Sequence, residues 1–432
     1  MFISKALGIS RDGNLTVGGA DTVLLAEHFG TPLYVMDENL IVENIKAYKD
    51  SIEQNYDGHG MVLYASKAFM CKEMARIAER EGIGLDIVSG GELYTADSVG
   101  FPLERACLHG NNKDMSEIET ALERGVGRIV ADSAEELSII NSLALSMKKH
   151  PKVLLRIKPG VEAHTHEFIQ TGQNDSKFGV SLEGGEAFDV FDRARKYDGI
   201  DLCGIHCHIG SQIFDEEPFI FAARLLIKFM AKLKNELGVK ITELNLGGGF
   251  GIKYLSSDKP KPYRIYMDDL LSGVKRACDD FGVERPFIMV EPGRSIVGAA
   301  GATIYEVGAV KDIPGVRKYV SVNGGMSDNP RYILYGAEYE ALLCRAPYAE
   351  KLEKVTIVGK HCESGDILIK DAKMPHLKRG DIIAVLQTGA YNYSMASNYN
   401  RVTRPAAVMV RDGVPRLIIK RESFEDLVRN DI

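Results

Sequence analysis

The chain predicts an α/β protein built as a closed eight-stranded parallel barrel with an all-β domain after it. Three observations carry this. Short β-type runs starting at Val62, Leu85, Cys107 and Arg128 lie 21 to 23 residues apart, and a helical pattern follows each. The rhythm continues through runs from Val153, Leu202, Thr242 and Phe287, giving eight strand-then-helix units, the number that closes a (β/α)8, TIM-like barrel. After Glu291 the pattern becomes strands and turns without regular helices.

Taken in order, the first 30 or so residues fit neither the barrel rhythm nor a helix, and are expected to join the β domain. The expected boundaries are 1–34 for this joining segment, 35–298 for the barrel and 299–432 for the β domain. In the first helix, AFMCKEMARIAEREG, Met70, Met74 and Ile77 share a face and Gly82 supplies the stop. The wider gaps after the fifth, sixth and seventh strands leave room for long loops, including the stretch from Gly160 to Gly179. The β domain reads as TIYEVGAV, YVSVNGG, KVTIVG, DIIAVLQTG and AAVMVRDGVPRLIIK. An open doubly wound sheet is the alternative, but eight strands in one run favour closure.

Length and composition set limits on function. At 432 residues the chain exceeds one ordinary core. A net charge of −7 leaves no basic footprint, so nucleic acid is not an expected partner. No secretory signal is legible at the N-terminus, and the most apolar run, Ile296 to Val310, is too short to span a membrane, contains Glu306 and fits buried strands better. A cytoplasmic protein without membrane partners is expected. Seven cysteines without a CxxC pair fit a reducing compartment.

Chemistry concentrates in six short segments: YASK (64–67), HIGSQ (208–212), GGGFG (247–251), EPGR (291–294), CESGD (362–366) and GAY (389–391). The first four fall at the C-terminal ends of barrel strands, where barrel enzymes place their active sites. Lys67 at the end of the first strand offers an amine that, partly desolvated, can form an imine with an aldehyde; a surface lysine is the commoner use of such a position. In the sixth strand, alternation separates Cys203, Ile205 and Cys207 from His206 and His208, which weakens a metal reading, and no metal is expected. His208, beside Gly210 and Ser211, suits a ring stacked on a flat cofactor, and His206 a hydrogen-bonded interior position. Gly247, Gly248 and Gly249 read as a phosphate cradle exposing successive N–H groups, although a glycine-rich turn has many blander uses. Glu291, buried at the end of the eighth strand, needs a cationic or hydrogen-bonding partner. A protonated pyridine nitrogen is one candidate and Arg294 another.

With these residues in place, the chain resembles the diaminopimelate decarboxylases, of the alanine racemase-like class of pyridoxal phosphate enzymes. The resemblance covers nearly the whole length and is most specific in YASK, HCHIGSQ, EPGR, NPRYILYGA (329–337) and CESGD. It implies that Lys67 carries pyridoxal 5'-phosphate, that Asp86 lies near it and that His208 stacks on it. It further implies that Ser211, Gly248, Gly249, Gly293 and Tyr391 hold the phosphate, with Pro292 and Arg294 in the same turn, and that Glu291 holds the pyridine nitrogen. Arg294, Arg331, Tyr335 and Tyr391 would receive the substrate's far end, and Glu363 its far ammonium. Cys362 would donate a proton in the barrel of a second subunit, giving a homodimer with shared sites. The implied reaction converts meso-2,6-diaminopimelate to L-lysine and CO2, the last step of lysine biosynthesis. Rival readings are a racemase, whose family sets arginine rather than a carboxylate at the ring nitrogen, a decarboxylase of lysine, ornithine or arginine, and a silent regulator with the same fold.

Overall fold

A computed structural model of the protein describes residues 2–160 and 176–432. The chain forms two compact units: Asn44–Gly251 with Pro260–Gly293, and Met1–Glu43 with Ile252–Lys259 and Arg294–Ile432. Most of the loop expected between Gly160 and Gly179 lies outside the described residues.

The first unit is the barrel. Its strands are β1 (Gly60–Ala65), β2 (Gly84–Ile87), β3 (Ala106–Leu108), β4 (Arg128–Ala131), β5 (Lys152–Lys158), β6 (Asp201–His206), β7 (Glu243–Asn245) and β8 (Phe287–Val290). Each pairs in parallel with the next, and β8 closes on β1 with Ile288 opposite Gly60. All eight overlap the runs read from the sequence, five of them starting one or two residues earlier, because parallel strands covered on both faces are near-continuous apolar segments. Leu63, Cys107, Val130, Leu154 and Met289 fill the interior. At the strand starts, Glu243 accepts from Arg128 Nη2 at 2.9 Å and Lys152 Nζ at 2.8 Å. Burial works to raise the Glu243 carboxyl, but these two partners hold it below the usual carboxylate range.

The first helix is Lys72–Arg80, with Met74, Ala75, Ile77 and Ala78 buried. Met70 precedes it and is outside the predicted face, since the chain runs extended at Phe69 and Cys71 before the helix begins.

The second unit is mainly β. Leu33–Asp37 pairs antiparallel with Gly301–Ile313 and in parallel with Ala406–Arg411, so a segment near the N-terminus is interior to a sheet whose other strands come from beyond residue 300. Leu15, Val23, Leu342, Cys344, Ala384 and Leu386 form one of its cores. Three readings need correction. Thr22–Phe29 is a helix, started by Asp21, whose carboxylate accepts from the Val23 N–H at 2.9 Å. The region after Glu291 also contains short helices, Arg294–Val297, Arg331–Tyr335 and Phe424–Val428. The run from Ile296 therefore begins helical and becomes strand only at Gly301. Among the described residues no helix is long and apolar enough to cross a membrane.

Candidate active site

In the barrel unit, strand ends and the turns after them gather an amine, three imidazoles, two carboxylates and a glycine turn. The chain leaves β1 at Ala65 and makes one 3-10 turn, Ser66–Ala68, so Lys67 stands just past the strand and is exposed, not desolvated at its end. Buried Ser66 and Ala68 flank it.

Glu291 is 6% exposed, and its carboxylate is wired from three other strand ends. His109 Nε2 lies 2.8 Å from Oε1, Asn245 Nδ2 donates to Oε1 at 2.7 Å, and His206 Nε2 lies 3.2 Å from Oε2. Burial alone would raise the carboxyl, but His109 and His206 bring it well below the usual range. Burial disfavours a charged His109, yet Glu291 and Asp86 outweigh it and hold the ring well above the ordinary histidine value. His206 is pushed down to about 4 by burial, which outweighs Glu291. The trio thus holds an anion, a cation and a neutral ring. Asp86 is the penultimate residue of β2, is buried, and lies 3.7 Å from His109 Nε2; burial raises its carboxyl.

The glycine turn is packed too closely for side chains. A Cβ on Gly247 would lie 2.5 Å from the Cys207 carbonyl, one on Gly248 2.1 Å from the Glu291 carbonyl, and one on Gly249 2.3 Å from the Gly210 carbonyl. Gly247 and Gly249 also have φ of 67° and 118°. The expectation of successive open N–H groups needs correction. Gly247 N–H donates to Asn245 Oδ1 at 2.9 Å and Gly248 N–H to His208 Nδ1 at 3.2 Å. His208 is half-buried, and burial, Lys67 and Arg156 keep its ring well below the ordinary histidine value. Its Nδ1 can therefore accept, which fixes the plane of the ring. Ser211 is half-buried beside the turn that carries Gly210 at φ 147°. The Pro292 carbonyl accepts from the Ala65 N–H at 3.2 Å, and a Cβ on Gly293 would come 2.8 Å from Ala65 Cβ.

This set fits pyridoxal phosphate: a reachable amine, a side-chain-free turn, a neutral flat ring set by that turn, and an ionised buried carboxylate. Gly248→Ala should cost about 1–3 kcal/mol of stability through overpacking and weaken cofactor retention. Urea unfolding of the apoprotein and cofactor kept through dialysis check this; wild-type values in both would mean that the turn yields.

In the second unit Arg294 and Arg331 are both buried. Arg294 Nη1 donates to the Tyr254 hydroxyl at 2.6 Å, and Arg331 Nη1 donates to the same oxygen at 2.8 Å and to Tyr339 at 2.9 Å. The Arg294 guanidinium also lies 4.8 Å from the Tyr391 ring centroid, with Tyr391 at φ 63°. Tyr335 closes the helix that Arg331 opens and is half-buried. Cys362 and Glu363 are exposed on the loop before Ile367–Met374, while the other six cysteines are buried. Asp366 ties that loop down, accepting from the Met326 and His361 N–H groups at 2.7 and 2.8 Å.

Sequence reasoning missed His109, Asn245, Tyr254 and Tyr339 as site residues. His109 and Asn245 end or follow barrel strands, the same position that singled out Lys67 and Glu291, so that rule applied throughout would have found them.

Residues 39–298 match the family described as pyridoxal-dependent decarboxylase, pyridoxal binding domain. Diaminopimelate decarboxylases of Bacillus subtilis (strain 168) and Staphylococcus aureus (strain COL) are each 47% identical to the chain, covering 100% and 98% of it and 98% of their own lengths. The crystal structure of diaminopimelate decarboxylase from M. jannaschii in co-complex with L-lysine is 35% identical, with a TM-score of 0.91 over 100% of this chain and 99% of that one. The chain belongs to the pyridoxal-dependent decarboxylases, in the family of the diaminopimelate decarboxylases.

Proposed function

We propose that the protein is a pyridoxal phosphate-dependent carboxy-lyase that converts meso-2,6-diaminopimelate to L-lysine and CO2. The observation that carries the substrate assignment is the buried pair Arg294 and Arg331. Two arginines suit a carboxylate far from the reacting carbon, and lysine, ornithine and arginine have none there.

When bound, the cofactor supplies an aldehyde that takes up the substrate's amine and a cationic ring that accepts electrons from the reacting carbon. In this reading Lys67 presents its amine to the aldehyde and later recovers it. Glu291, kept ionised by His109, His206 and Asn245, holds a proton on the ring nitrogen, with Asp86 close by. His208 covers one face of the ring. Ser211, Gly248, Gly249, Gly293 and Tyr391 hold the phosphate, with Pro292 and Arg294 in the adjoining turn. Arg294, Arg331, Tyr335 and Tyr391 receive the distal carboxylate, and Glu363 the distal ammonium. Cys362 gives a proton to the carbon that has lost CO2. The carboxylate at Glu291 speaks against a racemase, and the full set of reactive groups against a silent regulator.

CO2 release measured across the diaminopimelate stereoisomers, lysine, ornithine and arginine tests the assignment. Turnover confined to the meso isomer is expected; faster turnover of lysine would overturn it.

The protein is further proposed to act as a homodimer in which Cys362 and Glu363 serve the cofactor of the partner subunit. Supporting this is the exposure of both residues on a tethered loop 295 positions beyond Lys67. Inactive Lys67→Ala and Cys362→Ala chains, mixed and allowed to exchange, should regain up to about a quarter of wild-type activity under random pairing. Heterodimers seen by mass spectrometry without recovered activity would place Cys362 in its own subunit's site or in none.

A further inference from the structure

Three tyrosine-hydroxyl hydrogen bonds in the second unit involve both buried arginines, and two of them meet at one oxygen, that of Tyr254. Guanidinium groups repel one another, and each carries five donors in a rigid fork. An oxygen that accepts from both offsets the repulsion and sets the two forks at a fixed separation. Tyr254 is well placed for this. It is 8% exposed, and its ring centroid lies 5.0 Å from the Arg331 guanidinium carbon and 5.7 Å from that of Arg294.

The backbone around it is pinned within the same unit. The N–H groups of Tyr254 and Leu255 both donate to Asp258 Oδ2 at 2.9 Å, and the Ser256 N–H donates to Glu340 Oε1 at 2.7 Å. Glu340 adjoins Tyr339, the second hydroxyl on Arg331, which also receives Asn392 Nδ2 at 3.4 Å. The electrostatics agree with the contacts. Burial would raise the Tyr254 phenol, but the charges and hydrogen bonds of Arg294 and Arg331 bring it below its ordinary value.

We infer that Tyr254 is a positioning residue for substrate selection: its hydroxyl gathers Arg294 and Arg331 into a single carboxylate receptor, so that the enzyme distinguishes an amino-acid terminus from a bare amine. The inference rests on the reading that these arginines receive the distal carboxylate. Arg331 leaves the fork half-aimed when the shared oxygen is lost, because Tyr339 still holds one of its nitrogens. The consequence is weaker selection rather than its abolition.

The test uses holoenzyme and two competitive inhibitors, L-lysine, which keeps the carboxylate, and cadaverine, which lacks it. Tyr254→Phe preserves the ring and its volume. It should weaken L-lysine inhibition about tenfold to a hundredfold, the range for losing a hydrogen bond to a charged group, and leave cadaverine inhibition as in wild type. The loss with diaminopimelate should appear in KM more than in kcat. A double-mutant cycle with Arg331→Lys completes the experiment: if Tyr254 acts through the arginine, the double variant should lose little beyond Arg331→Lys alone. Equal weakening of both inhibitors by Tyr254→Phe, or fully additive losses, would overturn the inference. If Arg331→Lys itself fails to discriminate the two inhibitors, the assignment of the distal carboxylate falls first. Should Tyr254→Phe yield no holoenzyme, Tyr339→Phe is compared instead. Selection between the inhibitors unchanged by removal of that second hydroxyl would equally overturn a receptor aimed by tyrosines.

Discussion

Lys67→Ala should purify as a folded protein that retains no cofactor after borohydride treatment and denaturation, with turnover reduced by about a thousandfold or more. The side chain is exposed and projects from a single 3-10 turn, so alanine removes no core volume. Its neighbours Ser66 and Ala68 are buried and keep the turn in place. What disappears is the amine proposed to bond covalently to the aldehyde and later recover it. Mass spectrometry of the reduced, denatured chain gives the decisive reading, independent of turnover. A cofactor adduct on the variant would mean that another amine does this work and that Lys67 has been misassigned.

Glu291→Gln should cut decarboxylation by about two to three orders of magnitude, the scale of removing one preorganised electrostatic group from an active site. Cofactor retention should fall much less, since the residues proposed to hold the phosphate lie elsewhere. The same variant makes a prediction about the apoprotein that involves no catalysis. Glu291 lies below its unfolded value, so its contribution to stability is full above about pH 4.3 and fades as pH drops through the folded value. His109 lies above its unfolded value, so its contribution is full below about pH 6.5 and fades as pH rises through the folded value. Both contributions are complete between those limits. The stability gap between wild type and Glu291→Gln, followed by urea unfolding, should therefore be widest near pH 5 to 6 and narrow on either side. A gap that keeps growing above pH 8 would mean that the imidazolium is not Glu291's partner. Near-normal turnover would displace Glu291 from the ring nitrogen altogether.

The barrel was readable in the sequence because its strands are short, apolar and evenly spaced, features that depend on local residue choice alone. Elements whose identity depends on distant partners were harder. Leu33–Asp37 is strand because Gly301–Ile313 and Ala406–Arg411 flank it. Ile367–Met374 carries exposed Lys370 and Asp371 in its middle, the charges of a sheet-edge strand, and these hid its apolar face. The site divides in the same way. Lys67, Glu291 and the glycine turn announce themselves by type and place. His109 and Asn245 share that place at strand ends, but their partner is visible only when the barrel closes and brings them to Glu291 across 182 and 46 positions. Tyr254 stands three residues beyond GGGFG, but its role depends on arginines 40 and 77 positions away.

Two of the barrel's buried carboxylates, Glu243 at the strand starts and Glu291 at the strand ends, carry different kinds of counter-charge. Arg128 and Lys152 neutralise Glu243 with cations that do not titrate in the physiological range, so that end is permanently closed. Glu291 is neutralised by a histidine, which can surrender its proton. If Glu291 holds the ring nitrogen as proposed, that cation would replace His109 as its partner and Glu291 would at no point stand as a bare buried anion. The exchange would release the displaced charge as a proton, so cofactor loading should acidify a weakly buffered solution. With an arginine in place of His109 the seat would already be taken. Loading would then have to break an ion pair with no means of discharging it.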